Sequence, residues 1–295
     1  MKNCLVLGNG INRCFGGMSW ERLLARIASQ NFTSPDTVPS STLAFEQLKC
    51  AVLSRYSSAP EDFAYEIIKE LDSLPQDKFN DLFKHFLDLE VNDILTTNFD
   101  YCIERSLIKD FSYEKYTANI VTPQERKCSR IRHTKIENKR IFHIHGELGK
   151  KATLCLGNVH YAENLNTIMR YILDYSKDSD SYSLKEAVFQ DELISWAQFF
   201  FRDNIYMVGL GLYECDMDLW WLLSYRRQIQ LEGDSRISNR IIYYYLYENE
   251  KNQSFKDCLE TMGVEVREHR VDDGNWEKAY MDIANNIDLV IRRQG

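Results

Sequence analysis

Four short segments concentrate the residues able to do chemistry: Gly8-Asn9-Gly10, Thr97-Asn98-Phe99-Asp100, His143-Ile144-His145-Gly146 and Gly209-Leu210-Gly211. Gly8-Asn9-Gly10 lets backbone N–H groups approach a phosphate closely; alternatively it is only a tight turn, since it lacks the third glycine of the dinucleotide fingerprint. An Asn such as Asn98 orients a water or a carboxamide, and an Asp such as Asp100 fixes a polar ligand group. Both residue types also serve as helix N-caps. His143 and His145 alternate along an apolar run, so a strand would put them on one face. His145 abuts Gly146, where a proton acceptor belongs, whereas His143 reads as a structural histidine. No Cys or carboxylate is spaced to complete an obvious metal set with the pair.

Each segment ends an expected strand. Short apolar runs place strands at 4–7, 93–97, 140–144, 154–157, 204–208, 241–247 and 264–268. Helical spacing places helices near 42–55, 61–73, 76–90, 158–175, 184–202, 220–231, 251–261 and 275–292. Strands alternating with helices predict an α/β fold with a parallel sheet covered on both faces. In such a sheet, ligands bind outside the carboxyl ends of the strands. The helical block at 34–91 reads as an insertion after the first strand, and a further helical segment is expected over 158–202, all within one domain of 1–295. The basic stretch Arg126, Lys127, Arg130, Arg132, Lys135, Lys139 and Arg140 reads as a solvated loop, or as a contact for an acidic partner. Trp196, Phe199, Phe200 and Phe201 cannot share one helical stripe, so either at least one of them points outward as an interface anchor, or the helix is buried on all sides in a large core. Trp220 and Trp221 are expected to divide between core and interface, and Tyr243, Tyr244 and Tyr245 to be strand residues.

Composition narrows the function classes. The 295 residues are 44% hydrophobic and carry a net charge of −8, which speaks against a dedicated basic nucleic-acid binder. No apolar run approaches the roughly 18 residues of a membrane span, so a cytoplasmic protein without membrane contact is expected. The eight cysteines contain no CxxC pair, so free thiols and no zinc ribbon are expected.

Five segments, in order, resemble the sirtuin-like family, specifically its bacterial anti-phage-defence branch: LVLGNGINR (5–13, followed by Trp20), LTTNFD (95–100), IFHIHGEL (141–148), LCLGNVHY (154–161) and GLGLYECDMDLWWLL (209–223). The resemblance implies a Rossmann-like NAD-binding domain with a helical module inserted after the first strand. It also implies roles. Gly8, Asn9 and Gly10 match the turn that holds the NAD pyrophosphate, with Asn12 in the same motif and Thr97 in the next. Asn98 matches the residue that positions water and the nicotinamide ribose, and Asp100 the one that holds the carboxamide. His145 matches the catalytic histidine at the ribose hydroxyls. Gly209 and Gly211 match the loop near adenosine, and Asp216 a ribose contact.

Sirtuin deacylases place a four-Cys zinc module between that histidine and the next strand. Here seven residues separate Gly146 from Leu154, none of them Cys, so no zinc module fits and deacylation is disfavoured. The expectation is an NAD glycohydrolase that releases nicotinamide as an abortive-infection effector, with NAD as its substrate. Two alternatives are an NAD-binding regulatory or assembly subunit without turnover, and an ADP-ribosyltransferase. The branch also implies a homo-oligomer, or a complex with a defence partner such as an ATPase or an Argonaute.

Overall fold

A computed structural model describes residues 1–19, 76–118, 131–177 and 181–294, with isolated positions between 22 and 65. The elements run β1 (Asn3–Leu7), α1 (Gly10–Arg13), α2 (Gln76–Leu87), β2 (Asp93–Thr96), α3 (Cys102–Leu107), α4 (Tyr113–Tyr116), β3 (Thr117–Ala118), β4 (His133–Ile136) and β5 (Lys139–His143). There follow α5 (Asn158–Ile172), β6 (Leu173–Ser176), β7 (Ser181–Leu184), α6 (Phe199–Arg202), β8 (Asn204–Val208), α7 (Met217–Leu231), β9 (Ile241–Tyr247), α8 (Gln253–Thr261), β10 (Glu265–Arg270) and α9 (Trp276–Arg292). Most of the expected insertion at 34–91, including the helices at 42–55 and 61–73, lies outside the described residues.

The eight-stranded sheet has the order β10-β9-β8-β1-β2-β5-β4-β3. From β10 to β5 every pairing is parallel. The expectation of a parallel sheet is corrected at one edge, where β4 and β3 pair antiparallel. The chain builds outward from β1 to β2 and β5 on one side, then returns to β8, β9 and β10 on the other. This reversal opens a crevice at the carboxyl end of β1.

Strand residues alternate between two cores, which explains their near-continuous apolar sequences. Leu5, Leu7, Ile94, Ile141, Tyr206, Val208 and Ile242 face α2, α3 and α9. Cys4, Val6, Leu95, Phe142, Ile205, Met207 and Ile241 face the opposite layer, which contains α5 and α7. Each fully buried aliphatic side chain stabilises the fold by about 1.5–3 kcal/mol. In α9, Ala279, Tyr280, Ile283, Ala284, Ile287 and Ile291 form the buried stripe, and Asn275 caps the helix by accepting from the Lys278 N–H.

Several expectations are corrected. Residues 154–157 are no strand: a 3-10 turn at Lys151–Thr153 leads into extended chain, because β4 already occupies that edge of β5. The segment 184–202 is not one helix, and the helical stretch expected over 158–202 contains the β6–β7 hairpin, 3-10 turns at Glu186–Phe189 and Trp196–Gln198, and the single turn of α6. This broken path lets Trp196, Phe199, Phe200 and Phe201 all turn into the core, each 0% exposed. None of them is an outward anchor. Trp220 and Trp221 are both half-buried, Trp220 against Phe255 and Trp221 stacked on Tyr225.

Where it is described, the basic stretch divides: Lys135 is exposed on β4, while three other cations are paired. Arg132 is buried and pairs with Glu147 at 2.7 Å. The Lys139 ammonium, also buried, donates to the Leu89 and Val91 carbonyls. Arg140 pairs with Asp93 at 2.6 Å. Buried cations need such partners, so these residues are spent on folding; Arg126, Lys127 and Arg130 lie outside the described residues. The core assignment of the 196–201 cluster predicts that Phe200→Ala lowers stability by about 3–5 kcal/mol in urea unfolding and leaves the association state by light scattering unchanged. Lost association at unchanged stability would restore the anchor role.

Candidate active site

The cleft begins where two backbones touch. The Gly8 N–H donates to the Val208 carbonyl at 2.9 Å, and the Gly10 N–H to the Gly209 carbonyl at 2.8 Å. A Cβ on Gly8 would sit 2.4 Å from the Gly209 oxygen, and one on Gly10 would sit 2.8 Å from it. Gly209 adopts φ +69°. These glycines are therefore required by the contact between the loops that follow β1 and β8. Asn9 ties down the turn, its Nδ2 donating to the Met18 carbonyl at 2.6 Å.

The loop after β2 is held from both sides. Thr96 Oγ1 donates to the Leu7 carbonyl and accepts from the Asn98 N–H. Neither capping candidate is the N-cap of α3, which is Tyr101; Asp100, one residue earlier, accepts from the Cys102 N–H at 3.0 Å and from Asn12 Nδ2 at 2.8 Å. Asn98 is different. Its side chain is buried, 5% exposed, and neither Oδ1 nor Nδ2 has a hydrogen-bond partner among the described residues. A buried amide without partners is costly to leave unmade, and Asn98 carries that cost at the lining of the cleft.

The two histidines do not share a face, because β5 ends at His143 and the chain turns through Gly146 at φ +102°. His143 points toward α3. Its Nδ1 lies 2.7 Å from the Asn98 carbonyl and its Nε2 2.8 Å from Glu104 Oε1. Burial alone would lower the His143 pKa, but the Glu104 charge and hydrogen bond outweigh it and raise the value to about 9. His143 is thus a charged clamp on the Asn98 loop. His145 points the other way, toward α7. Its Nε2 lies 3.1 Å from Asp218 Oδ2 and its Nδ1 3.8 Å from Asp216 Oδ1, with the Tyr161 ring edge-on at 5.1 Å. Burial opposes its charge, yet Asp218 and then Asp216 raise its pKa. Burial pushes Asp216 itself up to about 6.

One cleft of about 430 Å³ collects Asn9, Gly10, Thr97, Asn98, Asp100, His145, Gly209, Gly211 and Asp216. Gly8 and Asn12 lie behind it, in the loop contact and on Asp100. Arg13 also lines the cleft, as do Tyr161, Tyr243, Tyr244, Tyr245, Trp276 and Tyr280. Tyr243–Tyr245 are strand residues, as expected, but they wall the cleft as well. Sequence reasoning did not single out Asp218, Asn164, Glu104, Tyr161 or Arg13. Asp218 had a weak signal: an acidic residue in the first turn of a helix reads as a dipole partner. Glu104 had none, since its role depends on α3 lying across β5. Among the described residues, no three or more His, Cys, Asp or Glu side chains converge as a metal site.

The clamp makes a prediction about stability. The raised pKa of His143 contributes stability that is fully present below about pH 6.5 and is lost as pH rises through about 9. Urea unfolding should show wild-type stability falling across that window. Glu104→Gln should cost about 3 kcal/mol at pH 7 and flatten the fall. Equal slopes for both proteins would refute the charged clamp.

No curated protein matches the chain. The family model for bacteriophage abortive infection AbiH matches residues 20–232, more than two thirds of the chain. Among the described residues no helix is long and apolar enough to cross a membrane. A rim of polar and glycine residues at the reversal point of an α/β sheet thus sits in a chain that belongs to the AbiH family of bacteriophage abortive infection, an anti-phage defence family.

Proposed function

We propose that the cleft binds NAD and hydrolyses its nicotinamide–ribose bond, which makes this AbiH chain a sirtuin-like NAD glycohydrolase. The observation that supports this reading best is the buried, unpartnered amide of Asn98, which lines the same cleft as His145. An amide with a free donor and a free acceptor suits a ribose hydroxyl or a water on which one proton must be managed. The remaining lining residues fit the rest of a dinucleotide. Arg13 would face the pyrophosphate, and the tyrosines with Trp276 offer aromatic surface for adenine. Asp100 has two acceptor positions committed to Cys102 and Asn12. An ionised carboxylate has about four, which leaves room for the nicotinamide carboxamide. The cleft volume lies within the roughly 300–1,000 Å³ of small-molecule sites.

The chemistry then follows from placement. Asn98 orients a water toward C1′ of the ribose. The bond from C1′ to the nicotinamide nitrogen breaks with its electron pair leaving on nicotinamide, which departs neutral. The water oxygen bonds to C1′, and the surplus proton passes to His145 and then to solvent. Abortive infection fits such a reaction, because loss of NAD halts the infected cell.

Purified protein incubated with NAD should release free nicotinamide. Asn98→Ala and His145→Ala should each lower the rate by about 10²–10⁴-fold, with circular dichroism unchanged. A folded variant that keeps the wild-type rate would remove that residue from the mechanism. Because the carboxylates hold the proton on His145, the base form is reached only above the ordinary histidine value. The rate should therefore rise with pH through a midpoint above about 6.5. A rate that falls over that range would contradict His145 as the acceptor.

A further inference from the structure

Behind His145 stands a buried chain of polar groups that the proposed reaction does not yet use. Asp218, at the start of α7, is 0% exposed. Its carboxylate faces three donors: Asn164 Nδ2 at 2.7 Å, the Leu219 N–H at 2.9 Å, and His145 Nε2 at 3.1 Å. The orientation of the Asn164 amide is fixed independently, since the same Nδ2 lies 3.4 Å from the Ile144 carbonyl. Turned over, its oxygen would meet two acceptors.

We propose that Asp218, anchored by Asn164, is a positioning residue that fixes the tautomer of His145, so that Nδ1 is the nitrogen that exchanges protons at the cleft, beside Asp216. The argument is one of donors and acceptors. An ionised carboxylate only accepts, so Nε2 must carry hydrogen. A neutral imidazole has one N–H, so its lone pair lies on Nδ1. That nitrogen is 3.8 Å from Asp216 Oδ1, too far for a hydrogen bond, and Asp216 lines the cleft. The groups facing His145 are Asp216 and Asp218 from the α7 side and Tyr161 from α5. Cys155 and Cys215 pack with Tyr161 in a small separate cluster.

The chemical role rests on the reading of the cleft as an NAD hydrolase; the tautomer assignment does not. In the hydrolytic step, Nδ1 takes the proton of the attacking water as the C1′–nitrogen bond breaks. The imidazolium so formed sits between two carboxylates and later returns the proton to solvent.

The test reads the tautomer directly. Long-range ¹H–¹⁵N spectra of the ¹⁵N-labelled full chain, with His145→Gln to assign the ring signals, should show Nε2 as the protonated nitrogen and Nδ1 as the one that titrates. A His145 ring that is protonated on Nδ1 alone would overturn the proposal, whatever the activity. In Asp218→Asn the amide can donate to Nε2, so the tautomer should reverse. Nicotinamide release should then fall by roughly 10³- to 10⁴-fold in kcat with KM for NAD nearly unchanged, and Asp218→Glu should restore part of it. A folded Asp218→Asn with wild-type kcat and pH profile would also overturn it. If Asp218→Asn does not fold, the wild-type spectrum decides. If wild type shows Nε2–H but releases no nicotinamide, the positioning of His145 stands and the NAD reading falls.

Discussion

The backbone contact between the loops leaving β1 and β8 sets the geometry of everything around the cleft. Gly10 donates to the Gly209 carbonyl, and no side chain fits between the two loops. With those loops touching, the crevice at the sheet's reversal point lies between them and the loop after β2. Thr96 then ties that third loop to the end of β1. The glycines can thus be understood from packing alone. Their demand for space is met by protein, and any ligand contact is additional to it.

On this frame, buried charge does the positioning. The two histidines at the end of β5 are one residue apart from being neighbours, yet they serve opposite layers. His143 meets Glu104 and holds the Asn98 loop through a backbone carbonyl. His145 meets Asp218 and is presented to the cleft. Next to the first pair, Arg132, Glu147 and Tyr101 form a further buried set, with Tyr101 donating to Glu147. Removing one partner of such a buried pair is strongly destabilising, so these pairs tie the rim to the fold. Asn98 stands out because it alone of the central rim side chains has both polar atoms unpartnered among the described residues.

Much of this was legible in the sequence. Alternation of apolar strands and amphipathic helices foretold the sheet, and glycine or polar residues ending several strands marked the edge where the cleft lies. Nine of the expected site residues line one cleft because strand ends in a parallel sheet must share a rim. What was not legible depends on long-range packing. The antiparallel edge at β3–β4 and the buried state of Arg132 and Lys139 follow from neighbours distant in the chain. For the aromatic cluster at 196–201 the sequence leaves two readings open, and the all-buried one holds because the chain runs through a 3-10 turn and not a regular helix. Asp218 was hidden in a helix start, where an acidic residue needs no further reason.

The central claim is hydrolysis of NAD by the cleft, and isotope incorporation tests it most directly. Purified full-length protein would be incubated with NAD in H₂¹⁸O and the products analysed by mass spectrometry. The account predicts free nicotinamide in equal amount with ADP-ribose carrying one ¹⁸O at C1′. Intact NAD after prolonged incubation, or ADP-ribose recovered on a macromolecule without solvent oxygen, would contradict it.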